Sequence, residues 1–216
     1  MTFAGVKMRP MKIRLTALLL LSAAAAASQT TRMPQLRLED TAGEQRALAE
    51  RMLKQTRSGL TGPFNAMLRS PEMSRGLMDL YLYFRYKTNL PRPLVELAIL
   101  VTGREWSAAF EWYMHYPIAV KEGLPEPLLT QLRNGKRPSN MSDEQAAVYD
   151  FSVELLRDHK VSDSVYQKTL ALFGEKKLVD LTALVATYSS YAALLNVNQL
   201  KLPPGSGPEY LPSALK

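Results

Sequence analysis

The stretch PRPLVELAILVTGREWSAAFEWYMHYPIAVKEG, residues 91–123, contains the pattern that decides the fold and the candidate chemistry. Its apolar spacing predicts two helices, Pro93 to Arg104 and Ala108 to Glu122, with Ser107 as the cap of the second helix. A Gly-Leu-Pro sequence then provides a stop signal. Two neighbouring helices with apolar faces predict a helical core at this point in the chain.

Glu111 and His115 are four residues apart, which places both side chains on one face of a helix. They have two interpretations. A carboxylate that orients an imidazole forms a general acid–base pair. An ion pair on a helix surface would contribute only about 0.3–0.5 kcal/mol of stability. Aromatic and Met neighbours favour at least partial burial.

Glu96 lies inside the apolar run from Leu94 to Val101. A buried carboxylate must find a partner or change its ionisation, because an unpaired buried charge is costly. Glu96 is therefore predicted either to relay protons or to form a structural tie with Arg92 or Arg104.

The rest of the chain also shows helical periodicity, and no alternation typical of strands. Ser142 and Gln145 have the spacing of a capping box, and Gly174 is expected to interrupt the last helical stretch. Residues 29–40 are predicted to form a loosely held lead. These patterns predict one all-α domain, a bundle of about seven to eight helices, whose further members cover 42–56, 73–86, 125–133, 142–158, 162–173 and 175–196.

Residues 1–28 have the pattern of a signal peptide: four basic residues, then the apolar run Leu15 to Leu21, then a run of alanines. Cleavage is predicted near Ala27–Gln29, which would give a periplasmic or secreted protein with no membrane association. A retained N-terminal anchor is the alternative.

Charge and cysteine content narrow the classes of function. The formal net charge is +7, but residues 1–28 hold four of the basic residues and no acidic residue, so the remainder carries only +3. Nucleic acid is therefore not expected as a partner. The 216 residues contain no cysteine, which excludes thiol and disulfide chemistry within them.

Glu96, Ala108, Glu111 and His115 follow a known spacing. The chain resembles the carboxymuconolactone decarboxylase family, which includes the alkylhydroperoxidase D (AhpD) enzymes with the pattern E-x11-C-x2-C-x3-H. Here Ala108 and Glu111 occupy the two cysteine positions, and the Glu111–His115 pair is closer to the decarboxylase branch. The flanking sequences GPFNAMLRSPEMSRGLMDLYLYFRYKTNLPRPLVELAIL (62–100) and DLTALVATYSSYAALLNVNQLKLPPG (180–205) carry the same resemblance.

The resemblance implies an AhpD-like helical domain over residues 62–205. It would follow a lead and first helix at 29–61 and precede a Pro-rich tail at 206–216. It also implies a homo-oligomer, commonly a trimer or hexamer.

Three functions remain open at this stage. The first is acid–base chemistry without a cofactor, of the decarboxylase or lactone-isomerase type, on a small lactone or carboxylic acid. The resemblance implies that His115 or Glu111 would donate a proton to carbon and that Glu96 would tune or relay it. The second is a thiol peroxidase, which the absence of cysteine disfavours. The third is a non-catalytic binding or structural protein, for which we expect an arginine-paired Glu96 and no open cavity beside His115.

One His and two Glu can bind zinc or iron, which is a further alternative for these residues. No metal is predicted, since their order on adjoining helices matches no common metal motif. Ala108, Trp112 and Tyr188 are candidates to line a pocket. A core or subunit-contact role for the two aromatic residues is the alternative.

Overall fold

The computed structural model describes Met1, residues 31–203, Ser206 and Leu211. The predicted signal peptide lies outside these residues except for Met1. The Pro-rich tail is described only at Ser206 and Leu211, and Leu211 packs against the hydrophobic core.

The described residues are helical and contain no strand, which confirms the predicted all-α fold. A short 3₁₀ helix at Leu38–Asp40 precedes eight α-helices. These are α1 (Gly43–Gln55), α2 (Pro63–Met67), α3 (Pro71–Tyr86), α4 (Arg92–Glu105), α5 (Ala109–Lys121), α6 (Glu126–Arg133), α7 (Asp143–Asp158) and α8 (Asp163–Asn198).

Helix α4 forms the centre of the bundle because apolar residues lie on every side of it. Every residue from Leu94 to Arg104 is buried, and α4 packs against α5, α7 and α8. A helix that is apolar all round is expected in the interior of a domain. Glu96, in the first half of α4, is therefore held deep in the protein.

The turn between α4 and α5 differs from the prediction that Ser107 caps α5. Ser107 has a left-handed φ of 50° and lies just past the end of α4. The amide of Ser107 donates to the carbonyl of Arg104, and the amide of Ala108 donates to that of Gly103. This is the Schellman arrangement, so Ser107 ends α4, and Ala108 precedes α5 without a side-chain cap.

Gly103 lets α5 pack closely against α4. A Cβ atom placed there would lie 3.2 Å from both the Cβ of Glu111 and the Cδ1 of Trp112. The distance between packed helices depends on the side chains at their contact, and glycine adds none. The close packing brings the acidic residue of α5 next to the buried face of α4.

Helix α8 is long and bent at Gly174, where φ is 72°, as the sequence predicted. Among the described residues, it is the one helix long and apolar enough to cross a membrane, but half of its apolar window is buried inside the protein. Such burial is what a core helix requires. The predicted capping box of α7, formed by Ser142 and Gln145, is also present.

The prediction that the lead is loosely held is wrong for residues 31–40, because hydrogen bonds join this segment to the helical bundle. The side chain of Asn65 accepts a hydrogen bond from the amide of Leu36 and donates one to its carbonyl, at 3.1 and 2.8 Å. The amide of Met33 donates to Oδ1 of Asn198 at 2.6 Å. Asn65 belongs to α2. This helix has only five residues, which is too short for helical periodicity to show in the sequence.

Candidate functional site

The candidate site lies where α3, α4, α5 and α8 meet. Helix α4 contributes Glu96, α5 contributes Glu111 and His115, α3 contributes Arg85, and α8 contributes Tyr188. The three residues predicted as catalytic from the sequence therefore lie together in space.

Glu96 is completely buried and has three partners. Its Oε1 accepts hydrogen bonds from Arg85 at 2.5 Å and from Arg92 at 3.1 Å. Its Oε2 lies 2.7 Å from Nδ1 of His115. Burial alone would raise the pKa of Glu96, but the contacts with His115 and Arg85 outweigh it and hold the pKa below its ordinary value. Glu96 is therefore an anion at neutral pH.

The contact with ionised Glu96 fixes the orientation of the His115 ring. An anionic carboxylate only accepts hydrogen bonds, so Nδ1 of His115 carries the proton and donates it to Glu96. Nε2 then faces Glu111, whose Oε2 lies 3.5 Å away. That distance is an electrostatic contact rather than a short hydrogen bond. Glu96, and not Glu111 as the sequence suggested, is the residue that orients the imidazole.

Glu111 is a carboxyl group whose acidity is strongly altered by burial. Its side chain is 5% exposed. Burial raises its pKa to about 7, with His115 acting to lower it and the negative charge of Glu96 acting to raise it. A carboxyl group with this pKa exchanges protons at neutral pH, as a general acid or base must.

A small cavity of about 50 Å³ adjoins Glu111 and His115. This volume holds a few water molecules or part of a small organic molecule. Exposed Arg57 and half-buried Ser58 are among its wall residues. Most of the rest of the wall is apolar or aromatic: Pro63, Phe64, Tyr81, Phe110, Met114, Ile118, Tyr188 and Tyr191.

Of the three residues predicted to line a pocket, Tyr188 is part of the cavity wall, and Ala108 and Trp112 are not. Trp112 is fully buried, and its indole Nε1 donates to the carbonyl of Leu100 at 3.1 Å. That hydrogen bond holds the indole against α4, on the other side from the cavity-lining residues of α5. Ala108 is buried in the tight turn between the same two helices.

Sequence reasoning missed Arg85, which makes the shortest ion pair with Glu96. Of the two arginines considered, Arg92 does contact Glu96, at 3.1 Å. The contact from α3 crosses between helices, so no helical spacing points to it. The available signal was that Arg85 follows Tyr81 by one helical turn and is next to Phe84, both of which are buried in α3.

No group of three His, Asp or Glu side chains in the described part of the chain is arranged to hold a metal ion. Both oxygens of Glu96 are already engaged by its arginine and histidine partners.

No protein-family model matches the sequence, and a search of curated proteins finds no match. Solved structures do match. One is an uncharacterised peroxidase-related protein from Ralstonia eutropha JMP134, described as an alkylhydroperoxidase AhpD core. The two structures superpose with a TM-score of 0.66 at 16% sequence identity. The match covers 82% of this chain and 94% of the Ralstonia protein.

A second match is a protein of unknown function from Agrobacterium tumefaciens, described as a candidate AhpD antioxidant defence protein. Its TM-score is 0.58 at 16% identity, covering 66% of this chain and 99% of the other. The two matches confirm the AhpD-like helical fold that the resemblance implied. At this level of identity they establish the fold and leave activity to be argued from the site.

Proposed function

We propose that this protein is an exported acid–base enzyme that moves protons at carbon in a small lactone or carboxylic acid, without a cofactor. The observation that carries the proposal is that Glu111 lies buried beside an imidazole and a cavity, and this burial raises its pKa to about 7. Strongly shifted carboxyl groups in cavities are typical of functional sites. The signal-like residues 1–28 support export.

In this proposal each residue of the set has one task. Glu96 holds His115 through Nδ1 and stays ionised because of its arginine partners. Glu111 and Nε2 of His115 hold or accept the proton next to the cavity. In a decarboxylation, the bond from carbon to the carboxylate breaks, carbon dioxide leaves, and the remaining electron pair takes a proton from Glu111 or His115. An isomerisation uses the same groups to move a proton between two carbons.

The test is a pH–rate profile of the protein on a panel of small lactones and carboxylated lactones. We expect Glu111→Gln and His115→Asn to lower the rate by roughly 10²- to 10⁴-fold, the usual contribution of a general acid or base. The matched controls are Glu122→Gln, at the end of the same helix, and His159→Asn, which changes the second histidine. Absence of turnover by the unchanged protein on every panel member would rule out the proposed activity class.

A non-catalytic binding role is the second candidate, and one observation favours it. Glu96 is fully buried and paired with two arginines, as we expected of a structural tie. The cavity beside His115 is the feature that this role did not predict. If Glu111→Gln and His115→Asn alter stability alone and no substrate is turned over, the binding role is preferred.

The Ralstonia protein is described as peroxidase-related, but we do not propose peroxidase activity for this chain. A thiol peroxidase uses a cysteine thiolate as its nucleophile. Ala108 and Glu111 stand at the two positions where the resembling pattern has cysteine, and neither side chain can be oxidised and reduced in that way.

A further inference from the structure

Tyr188 is a buried tyrosine whose hydroxyl has no hydrogen-bond partner among the described protein atoms. The residue is 2% exposed. Its neighbour Tyr191 is equally buried, but the hydroxyl of Tyr191 donates to the carbonyl of Leu77 at 2.8 Å. Buried hydroxyls are normally hydrogen-bonded, so an unpaired one in a native structure calls for an explanation.

The position of Tyr188 supplies a second observation. It forms part of the wall of the cavity that Glu111 and His115 also line. Its ring packs edge-on against His115, with centroids 5.3 Å apart at 85°. Burial raises the pKa of the Tyr188 hydroxyl well above its ordinary value, so it keeps its proton and remains a donor at physiological pH.

The rest of the wall shows what such a donor would bind. Apart from Arg57, Ser58 and Arg85, most of the remaining wall is apolar or aromatic and includes Phe64, Phe110, Met114 and Ile118. A ligand that places part of itself in this cavity of about 50 Å³ is therefore small and mostly apolar, with an oxygen that can accept one hydrogen bond. A few placed polar groups in an apolar pocket are the usual means of orienting a ligand.

We propose that the Tyr188 hydroxyl donates a hydrogen bond to the carbonyl oxygen of the ligand, and that the site takes small ketones, esters or lactones. This inference rests on the proposed function in placing the ligand beside Glu111 and His115. Proton removal from the carbon next to that carbonyl would pass the proton to ionised Glu111 or to Nε2 of His115. The C–H electron pair would form a C=C bond, and the negative charge would move to the oxygen held by Tyr188.

The experiment measures binding rather than turnover, so that its result is separate from that of the proposed activity. The probes are cyclopentanone and methylenecyclopentane, which have similar shapes but differ in the accepting oxygen. Binding is followed by NMR through the methyl group of Met114, in the cavity wall, using methionine labelled with ¹³C. The variants are Tyr188→Phe and, as a control, Tyr166→Phe, an exposed tyrosine on the same helix.

We expect Tyr188→Phe to raise the Kd of cyclopentanone by roughly three- to tenfold, the range for one hydrogen bond. The Kd of methylenecyclopentane should stay the same or fall, which also shows that the cavity of the variant is intact. Equal weakening of both probes, or no change for cyclopentanone, would overturn the inference. So would a failure of cyclopentanone to bind the unchanged protein. If Tyr188→Phe loses the preference for cyclopentanone and the unchanged protein turns over no substrate, the inference is supported and only the proposed activity is contradicted.

Discussion

Nδ1 of His115 lies 2.7 Å from Oε2 of Glu96, although the two residues are on different helices and 19 positions apart. The contact is shorter than the 3.5 Å between the same imidazole and Glu111, its neighbour one helical turn away. The closer carboxylate is ionised and the farther one has a pKa of about 7. Two carboxyl groups on one imidazole thus have different acidities, which is the arrangement that separates an orienting group from a proton carrier.

Glu96→Gln should strongly destabilise the protein. The change removes the charge that balances Arg85, whose side chain is only 10% exposed. Removing one partner of a buried ion pair costs about 3–5 kcal/mol, because the other charge stays buried and unpaired. The free energy of unfolding, from urea denaturation, measures the loss.

Glu50→Gln is the matched control for that prediction. Glu50 pairs with Arg46 at 3.0 Å on the exposed surface of α1. Removing this pair should change stability by less than about 0.5 kcal/mol. If Glu96→Gln costs no more than Glu50→Gln, the buried ion pair does not stabilise the fold.

Glu111 should make the protein less stable as the pH rises from about 4.5 to 7. The unfolded carboxyl ionises near 4.5, but the folded one stays protonated up to about 7, so the folded state binds more protons in this window and loses stability with rising pH. A shift of this size corresponds to about 3 kcal/mol. Glu96 adds no slope here, because its lowered pKa confines its loss of stability to more acidic conditions.

Unfolding free energies of the unchanged protein and of Glu111→Gln at pH 5 and pH 8 test this prediction. The free energy of unfolding of Glu111→Gln should increase relative to that of the unchanged protein as the pH rises. A difference that is the same at both pH values would mean that burial does not raise the pKa of Glu111.

Two tyrosine variants should have opposite effects on stability. Tyr191→Phe removes the hydrogen bond to the Leu77 carbonyl and should cost about 1 kcal/mol. Tyr188→Phe removes a buried hydroxyl that has no protein partner, so stability should be unchanged or rise. Thermal and urea denaturation distinguish the two. A clear loss in Tyr188→Phe would show that its hydroxyl is hydrogen-bonded in the folded protein.

The helices and the side-chain pairs within one helix could be predicted from the sequence. The contacts between side chains of different helices could not. Glu111 and His115 share a face because of helical geometry alone, and the bounds of α4 and α7 follow from spacing and capping. The contact from Arg85 to Glu96 depends on how α3 lies against α4, and periodicity contains no such information. Arg92 and Arg104 were the partners predicted for Glu96, whereas packing brings Arg85 and Arg92 to it.

The pocket-lining residues show the same limit. Trp112 is adjacent to Glu111 in the chain, yet its indole points to α4 and bonds with Leu100. Tyr188 is 73 positions from His115, and only the approach of α8 brings the rings together. Adjacent residues on a helix point about 100° apart, so proximity in the chain says little about which of them reaches a cavity.

Gly62→Ala should destabilise the protein and disturb the cavity, because no side chain fits at this position. Its φ is 64° with ψ at −142°, a region that is almost exclusive to glycine. A Cβ there would lie 2.5 Å from a ring carbon of Phe110, one of the cavity residues. Backbone strain of about 1–3 kcal/mol would add to that clash.

Gly76→Ala is the opposite case and serves as the control. Gly76 lies within α3, and a Cβ there would meet nothing within 4 Å. Alanine is favoured over glycine in a helix by about 1 kcal/mol, so this variant should be more stable than the unchanged protein. Urea denaturation measures both variants, and probe binding at Met114 should be impaired in Gly62→Ala alone. Equal stability of the two variants would mean that neither the backbone strain at position 62 nor the clash with Phe110 costs stability, and the prediction would be wrong.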